Sequence, residues 1–192
     1  FAMAVTMLPT GSLGTVQAAS TDENMILHWD MTTSDDGKLK DVTNHGHDGI
    51  PTDPVENKKI DNINVVDLKG GYVAIPNGTI GTDVTEVTIN MLVNITENVQ
   101  SSWMFCLGSS NTNYLYLTAC SNQNRCLRGG IGHGSPGYNH ESAIGTESSL
   151  DAEQWQNITV TYKDSGKFIF YKNGIKQAET NAVTEKTGDY TL

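Results

Sequence analysis

Apolar and polar residues alternate along much of this chain with a period of two, which is the pattern of half-buried β-strands. Three segments show it most clearly, at positions 25–31, 86–94 and 155–162. Their apolar faces comprise Met25, Leu27, Trp29 and Met31 in the first, Val87, Ile89, Met91 and Val93 in the second, and Ile158, Val160 and Tyr162 in the third. In the first segment this leaves His28 and Asp30 on the opposite face.

Turn-forming residues separate these segments at short intervals. The dipeptide Asn173-Gly174, between the runs 167–171 and 175–179, is the strongest short-range signal of a β-hairpin. No helical periodicity extends beyond two turns. About a dozen short strands at this spacing predict an all-β fold of two antiparallel sheets, a sandwich or a barrel.

The first residues differ from the rest. Positions 1–19 contain no charged residue and end in Val-Gln-Ala-Ala, which favours the remnant of a signal peptide cleaved after Ala18 or Ala19. The alternative is an apolar first strand. No apolar stretch is long enough to span a bilayer. We therefore expect a secreted, extracellular bacterial protein whose domain occupies positions 20–192.

The net charge of the chain limits the classes of partner that it is expected to bind. The chain has 22 Asp and Glu residues against 12 Lys and Arg, for a formal net charge of −10. Binding to nucleic acid or to an anionic membrane requires clustered cations, so both are disfavoured. The acidic balance is compatible with neutral ligands or a metal ion.

The three cysteines form no complete disulfide framework. Cys106 lies in the apolar run 103–107 and is expected to be a buried small hydrophobe. Cys120 and Cys126 flank a hairpin-like loop, where they could form a short disulfide or remain free thiols.

Several segments resemble bacterial laminin G-like modules of the concanavalin A-like lectin/glucanase superfamily. They are the strand 26–31, the loop D-V-T-N-H-G-H-D-G at 41–49, and W-Q-N-I-T-V-T-Y at 155–162 followed by F-I-F-Y-K-N-G at 168–174. The resemblance implies a concanavalin A-like jelly roll of two antiparallel sheets. It also implies that the last strand is lacking, which would leave the strand 25–31 with an unpaired side that is prone to aggregation.

The resemblance further implies a structural calcium site. Asp30 at a strand end and Asp48 in the following loop are the candidate ligands, because calcium prefers hard oxygen donors. The alternative for Asp48 is a turn residue that bonds its own backbone, and for Asp30 an outward strand position. His45 and His47 could ligate zinc, although two histidines in a surface loop are more often solvated.

Carbohydrate ligands are commonly held between aromatic rings and polar side chains. Tyr114, His133, Tyr138 and His140 are the candidate ligand-binding residues. Trp29, Trp103 and Trp155 are expected in the core. No array of paired carboxylates suited to glycoside cleavage is present, and Glu141 and Glu147 lie in turn-like polar surroundings, so this segment is expected to be non-enzymatic.

The resemblance implies a function through the proteins in which such modules occur, family 43 arabinofuranosidase-like glycoside hydrolases among them. We expect a non-catalytic, carbohydrate-binding or ancillary module of a larger secreted glycoside hydrolase acting on plant or host polysaccharide. Its partners would be a polysaccharide or oligosaccharide and an adjacent catalytic domain. The alternatives are a protein-binding or adhesive module and a purely structural domain.

Overall fold

The computed structural model describes residues 2–4 (backbone only), 24–60, 62–81, 84–97, 99–108, 112, 114–121, 126–132, 141–146, 149–163 and 167–180. These residues form strands, turns and loops, with no helix among them, and therefore none that could cross a membrane. The strands are β1 (Ala2–Ala4), β2 (Trp29–Thr33), β3 (Leu39–Asp41), β4 (Ile50–Pro51), β5 (Glu56–Ile60), β6 (Ile63–Asp67), β7 (Val73–Ala74), β8 (Glu86–Asn94), β9 (Ser102–Gly108), β10 (Tyr114–Cys120), β11 (Arg128–Gly132), β12 (Glu141–Gly145), β13 (Trp155–Lys163), β14 (Phe168–Lys172) and β15 (Ile175–Glu179).

The chain divides into two compact units, which share β8. The first unit comprises Phe1–Thr79 and Asn90–Asn94. Its main sheet has the antiparallel order β8-β1-β6-β5, and two-stranded pairs form between β2 and β3 and between β4 and β7. Buried apolar side chains of β2, β6 and β8 contribute to its core, namely Trp29, Met31, Val65, Val66, Met91 and Val93.

The second unit comprises Ile80–Ile89 and Ile95–Leu192. One of its sheets contains β13, β14 and β15, and the other has the antiparallel order β12-β11-β10-β9. The two sheets face each other across a buried core, in which a Cβ on Gly129 of β11 would lie 2.5 Å from Cζ of Phe168 in β14. This packing is the expected antiparallel sandwich, with Leu115, Leu117, Ile158 and Phe170 buried within it.

The hairpin signal at Asn173-Gly174 is confirmed. Both residues have positive φ values, 50° and 77° respectively, and they connect β14 to β15. These angles match a type I′ turn, whose twist suits two adjoining antiparallel strands. The predicted face of Ile158, Val160 and Tyr162 is also confirmed, since all three are buried.

The opening strand differs from its prediction. It begins at Trp29 instead of position 25, and Met31 has a φ of 63°, where the pairing with β3 is irregular. His28, predicted on an outward face, is buried. Among the described strands β2 pairs with β3 alone, and the predicted unpaired edge stays a prediction.

The N-terminal residues 2–4 form β1, which lies between β6 and β8. Positions 5–23 lie outside the described residues. The division into a leader at 1–19 and a domain at 20–192 therefore stays a prediction, as does the lack of a closing strand.

Three predictions of burial are wrong. Trp103 is 48% exposed, Trp155 is half-buried, and Cys106 is exposed. Trp103 and Cys106 lie on the outward side of β9, and Trp155 lies on the face of β13 opposite Ile158. Trp29 is buried as expected, with its indole Nε1 donating to the carbonyl of His47 at 2.9 Å.

Candidate functional site

The outward surface of the sheet β9–β12 carries a cluster of aromatic and charged side chains, which we call the aromatic face. Side chains on one side of a strand recur every second residue, so the ladder register fixes the members of this face. Across β10, β11 and β12 the first row is Tyr114, Gly132 and Glu141, the second is Tyr116, Gly130 and Ala143, and the third is Thr118, Arg128 and Gly145. On β9, Gly108, Cys106 and Trp103 lie opposite Tyr114, Tyr116 and Thr118, respectively.

Gly132 gives Tyr114 the space to lean across β11. A Cβ at Gly132 would lie 2.5 Å from Cε1 and Cζ of the Tyr114 ring, closer than any side chain tolerates. The tyrosine ring therefore occupies the space above the glycine. Its hydroxyl consequently reaches Glu141 on the strand beyond.

Glu141 is the centre of a hydrogen-bond network. Its Oε1 accepts a hydrogen bond from the Tyr114 hydroxyl at 2.7 Å, and its Oε2 accepts one from the Tyr116 hydroxyl at 2.9 Å. Arg128 donates from Nη2 to the same Oε2 at 3.1 Å and from Nε to the Tyr116 hydroxyl at 3.1 Å. The side chains of Arg128 and Glu141 are 25% and 15% exposed, so this ion pair is largely removed from water.

The network favours the neutral tyrosine and the charged arginine. Burial raises the pKa of both Tyr114 and Tyr116, and the neighbouring Glu141 carboxylate raises them further. Burial alone would lower the pKa of Arg128, but its contacts with Tyr116 and Glu141 raise it above its ordinary value. The tyrosine hydroxyls therefore remain hydrogen-bond donors at any physiological pH.

Three aromatic rings pack beside this network. The Trp103 and Tyr116 ring centroids lie 5.0 Å apart, those of Tyr114 and Tyr116 lie 5.7 Å apart, and those of Trp103 and Tyr114 lie 6.3 Å apart. Tyr114 and Tyr116 are only 7% and 3% exposed, whereas Trp103 is 48% exposed. The face thus presents one indole to solvent, supported from behind by two tyrosines that the network fixes.

Thr118 lies between Trp103 and Arg128 in the same row of the ladder. It is 6% exposed, and its Oγ1 has no hydrogen-bond partner among the described residues. A buried hydroxyl without a hydrogen-bond partner is energetically unfavourable. The Thr118 hydroxyl is therefore a buried polar group that no described residue satisfies.

Of the four ligand-binding residues predicted from the sequence, the structure places Tyr114 on the aromatic face. His133, Tyr138 and His140 lie outside the described residues. The segment that carries them connects Gly132 to Glu141, two residues that pair with each other beside Tyr114.

Sequence reasoning missed four residues of this face. Trp103 was assigned to the core, Glu141 to a polar turn, and neither Tyr116 nor Arg128 was singled out. The alternation Tyr-x-Tyr at 114–116 opposite Gly-x-Gly at 130–132 was the available signal, because glycines across from tyrosines allow the rings to tilt over the neighbouring strand.

The candidate calcium ligands each have a local role. Oδ1 of Asp30 accepts hydrogen bonds from the backbone and hydroxyl of Thr32, at 2.9 and 2.6 Å, and Oδ1 of Asp48 accepts one from the Asp41 amide at 2.8 Å. No group of three or more His, Cys, Asp or Glu side chains suited to a metal ion occurs among the described residues. Calcium binding by Asp30 and Asp48 stays a prediction.

Asp41 organises the loop that contains Asp48. Its carboxylate accepts hydrogen bonds from the amides of Thr43, His47 and His28, at 3.0, 3.1 and 3.3 Å. Burial alone would raise the pKa of Asp41, but the hydrogen bonds from Thr43, His47 and His28 outweigh it, and the pKa falls below its ordinary value. In the same loop, His45 Nδ1 lies 3.2 Å from the carbonyl of Ile26.

All three cysteines are free in this structure. Cys120 and Cys126 are buried, and the amide of Ser121 donates to the carbonyl of Cys126 at 2.9 Å. Of the two alternatives for this pair, the structure has the free thiols.

Comparisons with known proteins bear on the family and the fold. A laminin G family model, described as the concanavalin A-like lectin/glucanases superfamily, matches residues 67–191. A comparison with curated proteins finds no match.

Two solved structures are similar in fold. A fragment of an S-layer domain-containing protein from Clostridium thermocellum ATCC 27405 is 23% identical with a TM-score of 0.50, and the match covers 81% of this chain and 71% of that one. A botulinum neurotoxin type C structure, of a toxin whose cell entry depends on interaction with two ganglioside molecules, is 16% identical with a TM-score of 0.55. That match covers 86% of this chain but 41% of the toxin chain.

At these identities the likeness to solved structures shows the fold alone. The family match covers more than half of the chain and includes every strand of the aromatic face. The antiparallel two-sheet architecture agrees with it. The chain therefore belongs to the concanavalin A-like lectin/glucanases superfamily.

Proposed function

We propose that this chain is a non-catalytic carbohydrate-binding module and that an oligosaccharide or polysaccharide binds to its aromatic face. The observation that carries the proposal is the half-exposed Trp103 indole, held beside a buried network of Tyr114, Tyr116, Arg128 and Glu141. Sugars require both parts, because a pyranose has apolar C–H faces and a rim of hydroxyl groups.

The exposed indole supplies the apolar part of the interaction. A sugar ring that covers about 80 Å² of apolar surface would contribute about 2 kcal/mol. That energy corresponds to about thirtyfold in affinity. Loss of the Trp103 ring would therefore abolish binding in an assay that cannot detect complexes about thirtyfold weaker than that of the wild type.

The buried network supplies the rigidity. Tyr114 and Tyr116 are each held by a hydrogen bond to Glu141, so they lose little freedom when a ligand packs on the face. A platform that is already ordered costs less entropy on binding than a flexible loop.

The same network argues against catalysis. Glycoside hydrolases use two carboxyl groups about 5 to 9.5 Å apart on opposite sides of the bond that is cleaved. Among the described residues of the aromatic face Glu141 is the one carboxylate. It is neutralised by Arg128 and accepts two tyrosine hydroxyls, whereas an apolar pocket is the environment that keeps a general acid protonated.

The proposal also includes the kind of larger protein that carries this module. A secreted bacterial glycoside hydrolase that carries the module beside a catalytic domain is supported by the resemblance to modules of such enzymes. An adhesive, protein-binding module and a purely structural domain are the competing settings. The full reading frame separates them, because a hydrolase domain beside this one supports the first or the last.

Affinity electrophoresis through gels that contain single soluble polysaccharides tests carbohydrate binding. At least one polysaccharide is expected to retard the wild-type chain, and Trp103→Ala is expected to lose the retardation. Trp155→Ala is the matched control, because it removes a half-buried indole from the other sheet of the same unit. Carbohydrate binding is refuted if no polysaccharide retards the wild-type chain, and the location is refuted if both variants behave alike.

Cys106 provides an independent readout. It is exposed beside Tyr116 on the face, while Cys120 and Cys126 are buried, so a thiol reagent added to the native chain is expected to modify Cys106 first. A polysaccharide bound at Trp103 should slow this modification. An unchanged rate at saturating ligand would place the sugar elsewhere, with the segment of Tyr138 as the next position to test by Tyr138→Ala.

A further inference from the structure

The aromatic face is electrically balanced. Among the described residues of β9–β12, Arg128 is the one cation and Glu141 the one anion, and they are bonded to each other at 3.1 Å. We propose that the site takes uncharged sugars and rejects acidic ones such as uronic or sialic acids. This inference rests on the proposed function and specifies its ligand class.

Arg128 is a poor receptor for a ligand carboxylate, because it already donates hydrogen bonds within the network. Proteins usually bind carboxylates through the paired donors of an arginine side chain. Here Nη2 already donates to Glu141 and Nε to the Tyr116 hydroxyl. Taking Arg128 for a ligand would leave the Glu141 carboxylate, only 15% exposed, without its counterion, and an unpaired buried charge is costly.

A neutral sugar can bind without breaking the ion pair between Arg128 and Glu141. A carboxylate offers about four acceptor positions, and the tyrosines and Arg128 occupy three of those on Glu141. The remaining acceptor position complements a sugar hydroxyl, while an approaching carboxylate would meet the carboxylate of Glu141 and the net charge of −10 on the chain.

The test compares neutral with acidic polymers on the wild-type chain. Gels would contain a β-glucan, a galactan, an arabinan or polygalacturonate at pH 7.5, where histidine is mostly neutral. A neutral polymer is expected to retard the chain and polygalacturonate is not. Retardation should remain constant from about 50 mM to about 500 mM NaCl, because no ionic contact is screened.

Each alternative result has a distinct meaning. Retardation by polygalacturonate, with or without retardation by a neutral polymer, overturns the neutral-ligand inference while leaving carbohydrate binding intact, as does retardation that disappears at high salt. Retardation by no polymer overturns the proposed function instead.

A charge-matched pair of variants localises the effect. Glu141→Gln removes the negative member of the network, so the aromatic face gains net positive charge and polygalacturonate is expected to retard this variant severalfold more than the wild type. Glu86→Gln makes the same change of charge at an exposed position that pairs with Lys163 in the other sheet. Equal behaviour of the two variants would attribute the selectivity to overall charge and overturn the role of the face. Should Glu141→Gln fail to fold in a thermal melt, the salt series on the wild-type chain still decides the inference.

Discussion

Glu141→Ala tests the energetic role of the buried network. The substitution removes the acceptor of three hydrogen bonds, from Tyr114 at 2.7 Å, Tyr116 at 2.9 Å and Arg128 at 3.1 Å. It also leaves the Arg128 guanidinium, whose side chain is 25% exposed, without this counterion. The native state therefore loses both hydrogen bonds and charge compensation.

The structure sets the expected size of this loss. A hydrogen bond to a charged group contributes about 1.5 to 3 kcal/mol. Because the pair retains some exposure, the lower end applies, and three such bonds amount to roughly 4.5 kcal/mol. Breaking a buried ion pair by removing one partner costs about 3 to 5 kcal/mol, which agrees. We expect the free energy of unfolding to fall by about 3 to 5 kcal/mol.

Urea unfolding followed by tryptophan fluorescence measures the loss, with linear extrapolation to water. Glu86→Ala is the control, because Glu86 pairs with Lys163 where the two side chains are 61% and 55% exposed. An exposed ion pair contributes less than about 1 kcal/mol. If Glu141→Ala destabilises the chain no more than Glu86→Ala does, the network is not the structural centre of the face.

Three further outcomes are expected from the contacts described above. Because the pKa values of Tyr114 and Tyr116 are raised above the ordinary 10.0, the stability that they contribute is present below pH 10 and lost as the pH rises above it. Absorbance at the phenolate band should therefore show two of the seven tyrosines resisting ionisation until the chain unfolds, and normal titration of all seven would contradict this. Thr118→Val, which removes a buried hydroxyl without a partner among the described residues, should raise the free energy of unfolding by about 1 kcal/mol, and a fall would show that the hydroxyl has a partner. The pKa of Asp41 is lowered, so the stability that its carboxylate contributes is present above the ordinary value of 3.8 and lost as the pH falls below it. The variant Asp41→Asn should therefore be less stable at neutral pH, and its free energy of unfolding should depend less on pH in acid. Parallel pH profiles of the variant and the wild type would refute this.

The all-β architecture follows from local signals. The period of two in 155–162 places Ile158, Val160 and Tyr162 in the core, as the structure has them. Asn173-Gly174 specifies its hairpin because both residues adopt positive φ, which few residue types accept. Such features depend on neighbours in the sequence, and a single chain is sufficient to predict them.

Trp103 illustrates why the candidate site was harder to predict. The pairing of β9 with β10 advances two residues from Trp103 to Phe105 while it advances one from Thr118 to Leu117, which is a bulge. Residues three apart on a regular strand lie on opposite faces, so without the bulge Trp103 and Cys106 would not share a face. The bulge places both on the outward side, whereas hydrophobicity alone assigned both to the interior.

The network on the aromatic face depends on register, which neither strand determines alone. Tyr114 and Glu141 are separated by 27 positions in sequence, and they meet because Tyr114 pairs with Gly132 and Gly132 with Glu141. A slip of one residue between β10 and β11 would place Ile131 opposite Tyr114. The Ile131 side chain would then move from the core side to the outward side of the sheet. The tyrosine would then lose the glycine floor that lets it lean towards Glu141. The alternating glycines of β11 thus have a double role, since they admit the Phe168 ring on the core side at Gly129 and the Tyr114 ring on the outward side at Gly132. A side chain at Gly129 would collide with the Phe168 ring, and one at Gly132 would collide with the Tyr114 ring. The core and the aromatic face therefore both require glycine in β11.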